Sequence, residues 1–504
     1  MSTETRLTLR LDDAALDRLR RHPAVQRYRL RRAQTLREHL IFFDSADHRL
    51  YRDDAMLALV RPATKSAVPV ARLQQHGGDS WSNPVWQWAC PGETPVAPPF
   101  HLPFPFPATL NAEFTADRQV TVIHLGADAW EIDLAIDRHD LACGGRTAVF
   151  DELSLQLKRG EPASLFRLAA ELAEGLPLRV AGYRLIDRAH ALRTGKALAP
   201  RKALAPSLAA DCTVAQAFST IAHSCLAQLV VNQECLTLTG DPEAIHQMRV
   251  ALRRLRSAMA VFAPLIASPQ TDRLRAEMRW ILDYLGPARD IEVFIAEILN
   301  PARPLFPQPD AFESFAEVFR ARHRTAQSVA KAAVADPRFT ALLLSLALWA
   351  EGEGWLQAVR EFGPADPDEP ARQFARTVLE RRYRRLRKAL QDLGDLDEEA
   401  RHQSRIEAKK FRYCLEFFSS LYPGARADRM AAKTGDLQDR LGLLNDIAVS
   451  RQTLLDQARG MREPDAIWAA GTIAGWHTAR IPALLAESIK HWGQCRRLPR
   501  FWMD

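Results

Sequence analysis

The chain has 504 residues, 47% hydrophobic and 26% charged, with 68 basic against 61 acidic side chains and a net charge of +7. That length exceeds a single hydrophobic core and implies roughly three units of about 150 residues, or two large domains of which one is internally doubled. The composition excludes wholesale disorder, and seven scattered cysteines without a C-x-x-C pair exclude a disulfide framework and a cysteine zinc site, which makes a reducing cytoplasm the expected home.

The N-terminus is charged from its first residues and lacks the apolar core of a signal peptide, and no uninterrupted run approaches bilayer length, so neither secretion nor membrane insertion is expected. Alternation of apolar and polar residues over Thr5–Leu11 predicts a half-buried strand, and Asp12 and Asp13 open a short helical stretch. The same alternation at Val120–His124, Trp130–Ile136 and Leu153–Lys158 makes this half strand-rich. Seven prolines between Pro91 and Pro107 cannot feed a central ladder and predict a long loop or an edge crossing. Residues 193–207 contain KALAP twice with no amphipathic period, and read as a linker. Beyond them the period becomes helical, broken by Pro-rich stretches at Asn300–Asp310 and Gly363–Pro370.

Within the helical half, His246-Gln-Met-Arg-Val-Ala-Leu-Arg-Arg-Leu-Arg256 recurs as His402-Gln-Ser-Arg-Ile-Glu-Ala-Lys-Lys-Phe-Arg412, an offset of 402 − 246 = 156. Leu285-Gly286-Pro-Ala-Arg-Asp290-Ile291 recurs as Leu441-Gly442-Leu-Leu-Asn-Asp446-Ile447 at the same offset, so the region is an internal duplication. On an ideal helix His246, Arg249, Arg253 and Arg256 share a sector of roughly 80°. His402, Arg405, Lys409 and Arg412 do the same, while Arg254 and Lys410 lie off the centre of that face and can swing toward it or toward solvent. A basic stripe on one helix is usually a solvated face; two copies without an interrupting acid repel themselves unless salt screens them or an anion binds. Packed face to face, the halves would line one channel with eight cationic or protonatable groups. Arg381–Lys388 adds a third basic run, whose plainer reading is an exposed helix tied to Asp392, Asp395 and Glu398. The two histidines stand at helix starts, where anions are favoured, and lack the i+3 or i+4 partner of a metal site. Asp290 and Asp446, four residues after a glycine, read as N-caps of a following helix.

These doubled motifs resemble the CHAD domain (conserved histidine α-helical domain) over approximately residues 208–500. The resemblance implies two duplicated four-helix bundles about a pseudo-twofold axis, and binding of long-chain inorganic polyphosphate in a basic groove or pore. The contacts it implies fall at His246, Arg249, Arg253, Arg256, His402, Arg405, Lys409 and Arg412, and the flanking Arg254 and Lys410 are expected to join them. The N-terminal half resembles a CYTH domain, the triphosphate tunnel fold, through its opening strand, Phe42-Phe-Asp44-Ser-Ala-Asp47 with Leu50-Tyr-Arg52, and Glu152-Leu-Ser-Leu-Gln-Leu-Lys158. Active members carry E-x-E-x-K and a strand of alternating glutamates. Here the first reads Glu4-Thr-Arg6-Leu-Thr8, and the second has Ser154 and Gln156 between Glu152 and Lys158. A cation thus stands where a metal ligand is needed; Glu131, Asp133 and Asp137 could retain a weakened site, although solvated strand carboxylates are the commoner explanation.

The expected architecture is therefore α+β: a degenerate CYTH-like antiparallel β tunnel over 1–192, a linker over 193–207, and an all-α CHAD-like domain over 208–504 with halves near 208–345 and 370–500. The expected function is polyphosphate binding in the cytoplasm or on polyphosphate granules, with no cofactor, metal or membrane, and with a catalytically inactive barrel that is structural or binds anions without hydrolysing them. The alternative is a metal-dependent triphosphatase or polyphosphatase. Nucleic acid is disfavoured because only Tyr383 and Tyr413 stand among the stripes as stacking partners.

Overall fold

The structure is a computed structural model that describes residues 2–63, 68–75, 81–307, 309–363, 365–460 and 463–503. Eight antiparallel strands form the N-terminal part: β1 (Ser2–Arg10), β2 (Gln34–Asp44), β3 (Ala55–Pro62), β4 (Val70–Gln75), β5 (Ser82–Ala89), β6 (Asn111–Ala127), β7 (Trp130–Cys143) and β8 (Arg146–Arg159). Their order is β5-β4-β3-β2-β6-β7-β8-β1, a β5–β1 pairing closes the barrel, and a two-residue strand, Arg179–Val180, pairs with the end of β1. Closure leaves no free edge, and strand alternation then separates an inside from an outside. On β1, Leu7 and Leu9 are fully buried, and the helix Ala163–Ala173 packs over β1 and β8, whereas Arg6 and Thr8 face the interior cavity. The proline-rich stretch is an irregular loop, as its composition demands, and its Leu102, Phe104 and Phe106 pack on the cluster around Trp86 and Trp88.

Eight long helices follow: α1 (Val214–Thr239), α2 (Pro242–Val261), α3 (Pro269–Val293), α4 (Pro309–Ala335), α5 (Ala371–Ala389), α6 (Glu398–Phe418), α7 (Ala425–Gly460) and α8 (Pro464–Cys495). The duplication fixes their starts: α6 opens 398 − 242 = 156 residues after α2, and α7 opens 425 − 269 = 156 residues after α3. One apolar cluster joins the copies, with Phe294, Phe312, Phe315 and Phe319 against Leu444, Ile447 and Ile473, and Phe262 stacks on Phe374 at 4.9 Å. All seven cysteines are buried and unpaired with one another.

Two expectations need correction. Residues 285–291 and 441–447 do not end helices: they lie inside α3 and α7, so Asp290 and Asp446 are mid-helix residues rather than N-caps. α1 is long and apolar enough to cross a membrane, contrary to the reading that no such run exists, but 72% of its most apolar stretch is buried in the protein. The described residues form two compact units, each made of three segments of the chain. One contains residues 1–204, 223–248 and 334–354, the other residues 205–222, 249–333 and 355–504.

In the first unit the irregular 193–204 stretch is pinned by side chains that replace the partners a ladder would supply. Tyr183 Oη donates to the Ala199 carbonyl at 2.6 Å, and the Asn232 amide bonds both the Arg201 N–H, at 3.0 Å, and its carbonyl, at 2.8 Å. Glu234 on α1 accepts from the Gly182 and Tyr183 N–H groups, each at 2.7 Å, from Arg10 Nε at 3.0 Å, and from Arg188. Gly182 is required there, because a Cβ at that position would lie 2.3 Å from Val231 Cα.

Candidate functional site

The helical stripes meet in the second unit. Lys409 of α6 is held at about 8, well below the ordinary lysine value of 10.5, first by burial and then by Arg405, Arg253 and Arg249, with Asp446 opposing. Arg405 belongs to its own helix, but Arg253 and Arg249 belong to α2, so the two duplicated stripes converge on one desolvated place. Burial likewise lowers Arg249, with Arg253 and Arg289 adding to the effect and Asp290 opposing it.

The repeated Leu-Gly-x-x-x-Asp-Ile segments turn out to be the back wall of this groove. Arg249 donates to Asp290 at 3.0 Å, and its counterpart Arg405 lies 3.8 Å from Asp446. Gly286 leaves room for the first arginine, since a Cβ there would stand 2.9 Å from Arg249 Nη1. Each aspartate thus aims an arginine along the groove, a role that spacing alone did not reveal although the motif's duplication marked these residues. Asn445, also missed, accepts a hydrogen bond from His402 Nδ1. Its counterpart at 445 − 156 = 289 is Arg289, which bonds Glu292 at 2.9 Å. His246 is half-buried, one turn ahead of Arg249 on α2.

Acids balance only part of this charge. Arg412 bonds Glu416 at 2.9 Å and approaches Asp439 at 3.9 Å. Among the described residues, Arg253, Arg256 and Lys409 have no carboxylate within ion-pair distance, and the buried Nε atoms of Arg249, Arg253 and Arg405 have no hydrogen-bond partner. Unmet buried donors of one sign are costly unless something accepts from them. Arg254 is different: it is 1% exposed, 3.9 Å from Glu416 and over the Phe417 ring at 5.9 Å, so the structure places it in the interior and not in the groove. Lys410 bonds Glu407 at 2.6 Å and is 42% exposed, on the side facing solvent.

The barrel interior is a cavity of about 500 Å³. Arg6, which replaces a carboxylate of the resembled motif, bonds Glu152 at 3.0 Å and approaches Asp137 at 3.5 Å and Glu4 at 3.9 Å. Arg72 bonds Glu4, Arg118 bonds Glu38 at 2.7 Å and Asp137 at 2.6 Å, and Arg10 bonds Glu152 at 3.2 Å. Of the acids on β7, only Asp137 belongs to this network. Asp133 is taken by His124 at 2.6 Å and Lys158 at 3.5 Å, and Glu131 by Arg159 at 3.3 Å.

Comparison with known proteins places the pieces. A family profile described as the CHAD domain matches residues 220–455. An uncharacterized protein of Mycobacterium tuberculosis is 27% identical over 224 residues, 43% of this chain and 40% of that protein, so the chain matches less than half the length of this curated relative. The crystal structure of the CHAD domain from the plant Ricinus communis superposes with a TM-score of 0.51 at 28% identity, over 60% of this chain and 98% of that one. Another solved structure similar to part of the chain is a Hippeastrum protein described as a putative adenylyl cyclase with a dominant triphosphatase activity. That neighbour shares 16% identity, with 39% of this chain and 97% of that one covered at a TM-score of 0.27. The doubled His-Gln-x-Arg helices and their aspartate-backed arginines fall within residues 220–455, the segment that matches the CHAD domain profile.

Proposed function

We propose that the chain binds long-chain inorganic polyphosphate along the groove between α2 and α6. The observation that carries this reading is the convergence of Arg249, Arg253, Arg405 and Lys409 from two helices into one desolvated place, strong enough to lower Lys409. Such a gathering of like charge destabilises the free protein and is relieved by a repeating polyanion, whose evenly spaced charges suit a linear groove. Arg256 and Arg412 extend the track on either helix, and His246 and His402 stand a turn ahead of its arginines. Binding would place the protein with polyphosphate in the cytoplasm or on granules. Metal-dependent hydrolysis in the barrel is the weaker reading, because guanidinium groups already occupy the carboxylates it would need.

The test is titration with long-chain polyphosphate at two salt concentrations, beside a variant carrying Arg253→Ala, Arg256→Ala, Lys409→Ala and Arg412→Ala. Tight, salt-sensitive binding lost in the folded variant supports the groove. Binding that survives in the variant moves the site elsewhere, and DNA competing equally at equal phosphate refutes selectivity for polyphosphate.

A further inference from the structure

The barrel cavity differs from the groove in its electrostatics. Arg6, Arg10, Arg72 and Arg118 are matched one for one by Glu4, Glu38, Asp137 and Glu152. At the strap beside the cavity, Arg184 and Arg201 share Asp54 and Asp187. The interior therefore carries no excess charge with which to hold a triphosphate. A divalent ion would have to expel guanidinium groups from their carboxylates, and among the described residues no three His, Cys, Asp or Glu side chains are grouped to receive one. The residues present do not fit the metal that the tunnel fold implies.

What the cavity offers instead is two dissimilar walls. Leu40, Phe42, Met56, Ala58, Val60 and Trp81 supply an apolar, partly aromatic surface. Facing it are unpaired polar groups of both kinds. Asn83 is 8% exposed with Oδ1 unpartnered, His139 is 4% exposed with Nδ1 unpartnered, and the Nε donors of Arg6 and Arg72 are buried without an acceptor among the described residues. Burial lowers His139, so its ring is neutral and offers a donor or an acceptor without charge. A ligand that satisfies this site presents a flat apolar face to one wall, adjacent donors and acceptors to the other, and no net charge. Its size is that of a small metabolite, since cavities of this volume enclose such molecules.

We propose that the barrel interior is a metal-independent binding site for an uncharged heterocycle of nucleoside size. The site is distinct from the polyphosphate groove and does not depend on it.

The experiment is calorimetric titration of the full chain carrying Arg253→Ala and Lys409→Ala, which weakens the groove so that phosphate compounds report on the barrel. The probes are the common nucleosides and their triphosphates, each with excess Mg²⁺ and with EDTA. The expected result is that at least one nucleoside binds, that its affinity changes less than about twofold with Mg²⁺, and that its triphosphate binds at least about tenfold more weakly. Asn83→Leu, which removes the unpartnered acceptor, is expected to weaken the nucleoside about tenfold. Ala58→Phe, which fills the apolar wall, is expected to abolish binding. In the chain with an intact groove both substitutions leave polyphosphate titration unchanged, which confirms that the variants fold. A triphosphate that binds more tightly than its nucleoside in a Mg²⁺-dependent manner overturns the proposal, and so does the absence of binding by every nucleoside.

Discussion

Replacing Lys409 by methionine removes one charge from the groove at nearly constant volume. The drop from 10.5 to about 8, at about 1.4 kcal/mol per pH unit, caps the cost of the buried ammonium at about 3 kcal/mol, and partial exposure leaves about half of that measurable. The sign follows from linkage. A base whose folded value is depressed binds its proton less well when folded, so its penalty is complete below about 8 and is relieved as pH rises from there toward 10.5. Lys409→Met should therefore raise the stability of the ligand-free protein at neutral pH by about 1–2 kcal/mol, with the advantage shrinking in alkaline buffer. Urea unfolding at low ionic strength, at neutral and alkaline pH, measures both quantities. Saturating polyphosphate should narrow or reverse the difference, since it stabilises the native ammonium more than the methionine. A variant less stable than the native protein at neutral pH without ligand, or a gain that persists undiminished in alkali, would refute the account of a self-repelling groove.

Other substitutions separate neighbouring residues by role. Arg254→Leu should cost about 2–4 kcal/mol through the loss of a buried charge contact and leave the salt dependence of polyphosphate binding unchanged, whereas Arg253→Ala should lower the slope of log affinity against log salt by about 0.7–1 with little loss of stability. The two motif glycines should differ. Gly442→Ala should stabilise α7 by about 0.5–1 kcal/mol, as the added Cβ meets Arg405 only at ordinary contact distance, and leave affinity intact. Gly286→Ala pushes Arg249 away from Asp290 and should weaken polyphosphate several-fold, both read by denaturation and titration. Arg6→Glu would place a carboxylate among Glu4, Asp137 and Glu152, costing about 3–5 kcal/mol. Thermal unfolding with and without Mn²⁺ should show a melting temperature that depends on the metal in the variant and not in the native protein.

The duplication was fully legible from sequence because helices conserve spacing: a 156-residue offset seen in two motifs reappears in the helix starts. The stripes were legible for the same reason, since periodicity assigns faces. What periodicity cannot do is say what lies opposite a face. Arg254 and Lys410 flank the stripe at equivalent positions, yet one is enclosed against Phe417 and the other is in solvent. Asp290 and Asp446 carried the local signature of caps, a glycine four residues upstream, but both glycines lie inside unbroken helices, where Gly286 gives Arg249 clearance and Gly442 meets Arg405 only at ordinary contact distance. In the barrel the substitution at Arg6 was visible, while the one-for-one matching of its neighbours depended on strand register that no single strand encodes.

Glu234 lies within the stretch that matches the CHAD family, yet its four donors come from residues 10, 182, 183 and 188. A gene cut in the 193–207 region would leave a buried anion on α1 with none of them, and recombination would tend to be purged wherever it moved either segment alone. The two coding segments should therefore be inherited together, and lineages that carry the helical part without a barrel should have lost the acid at this position.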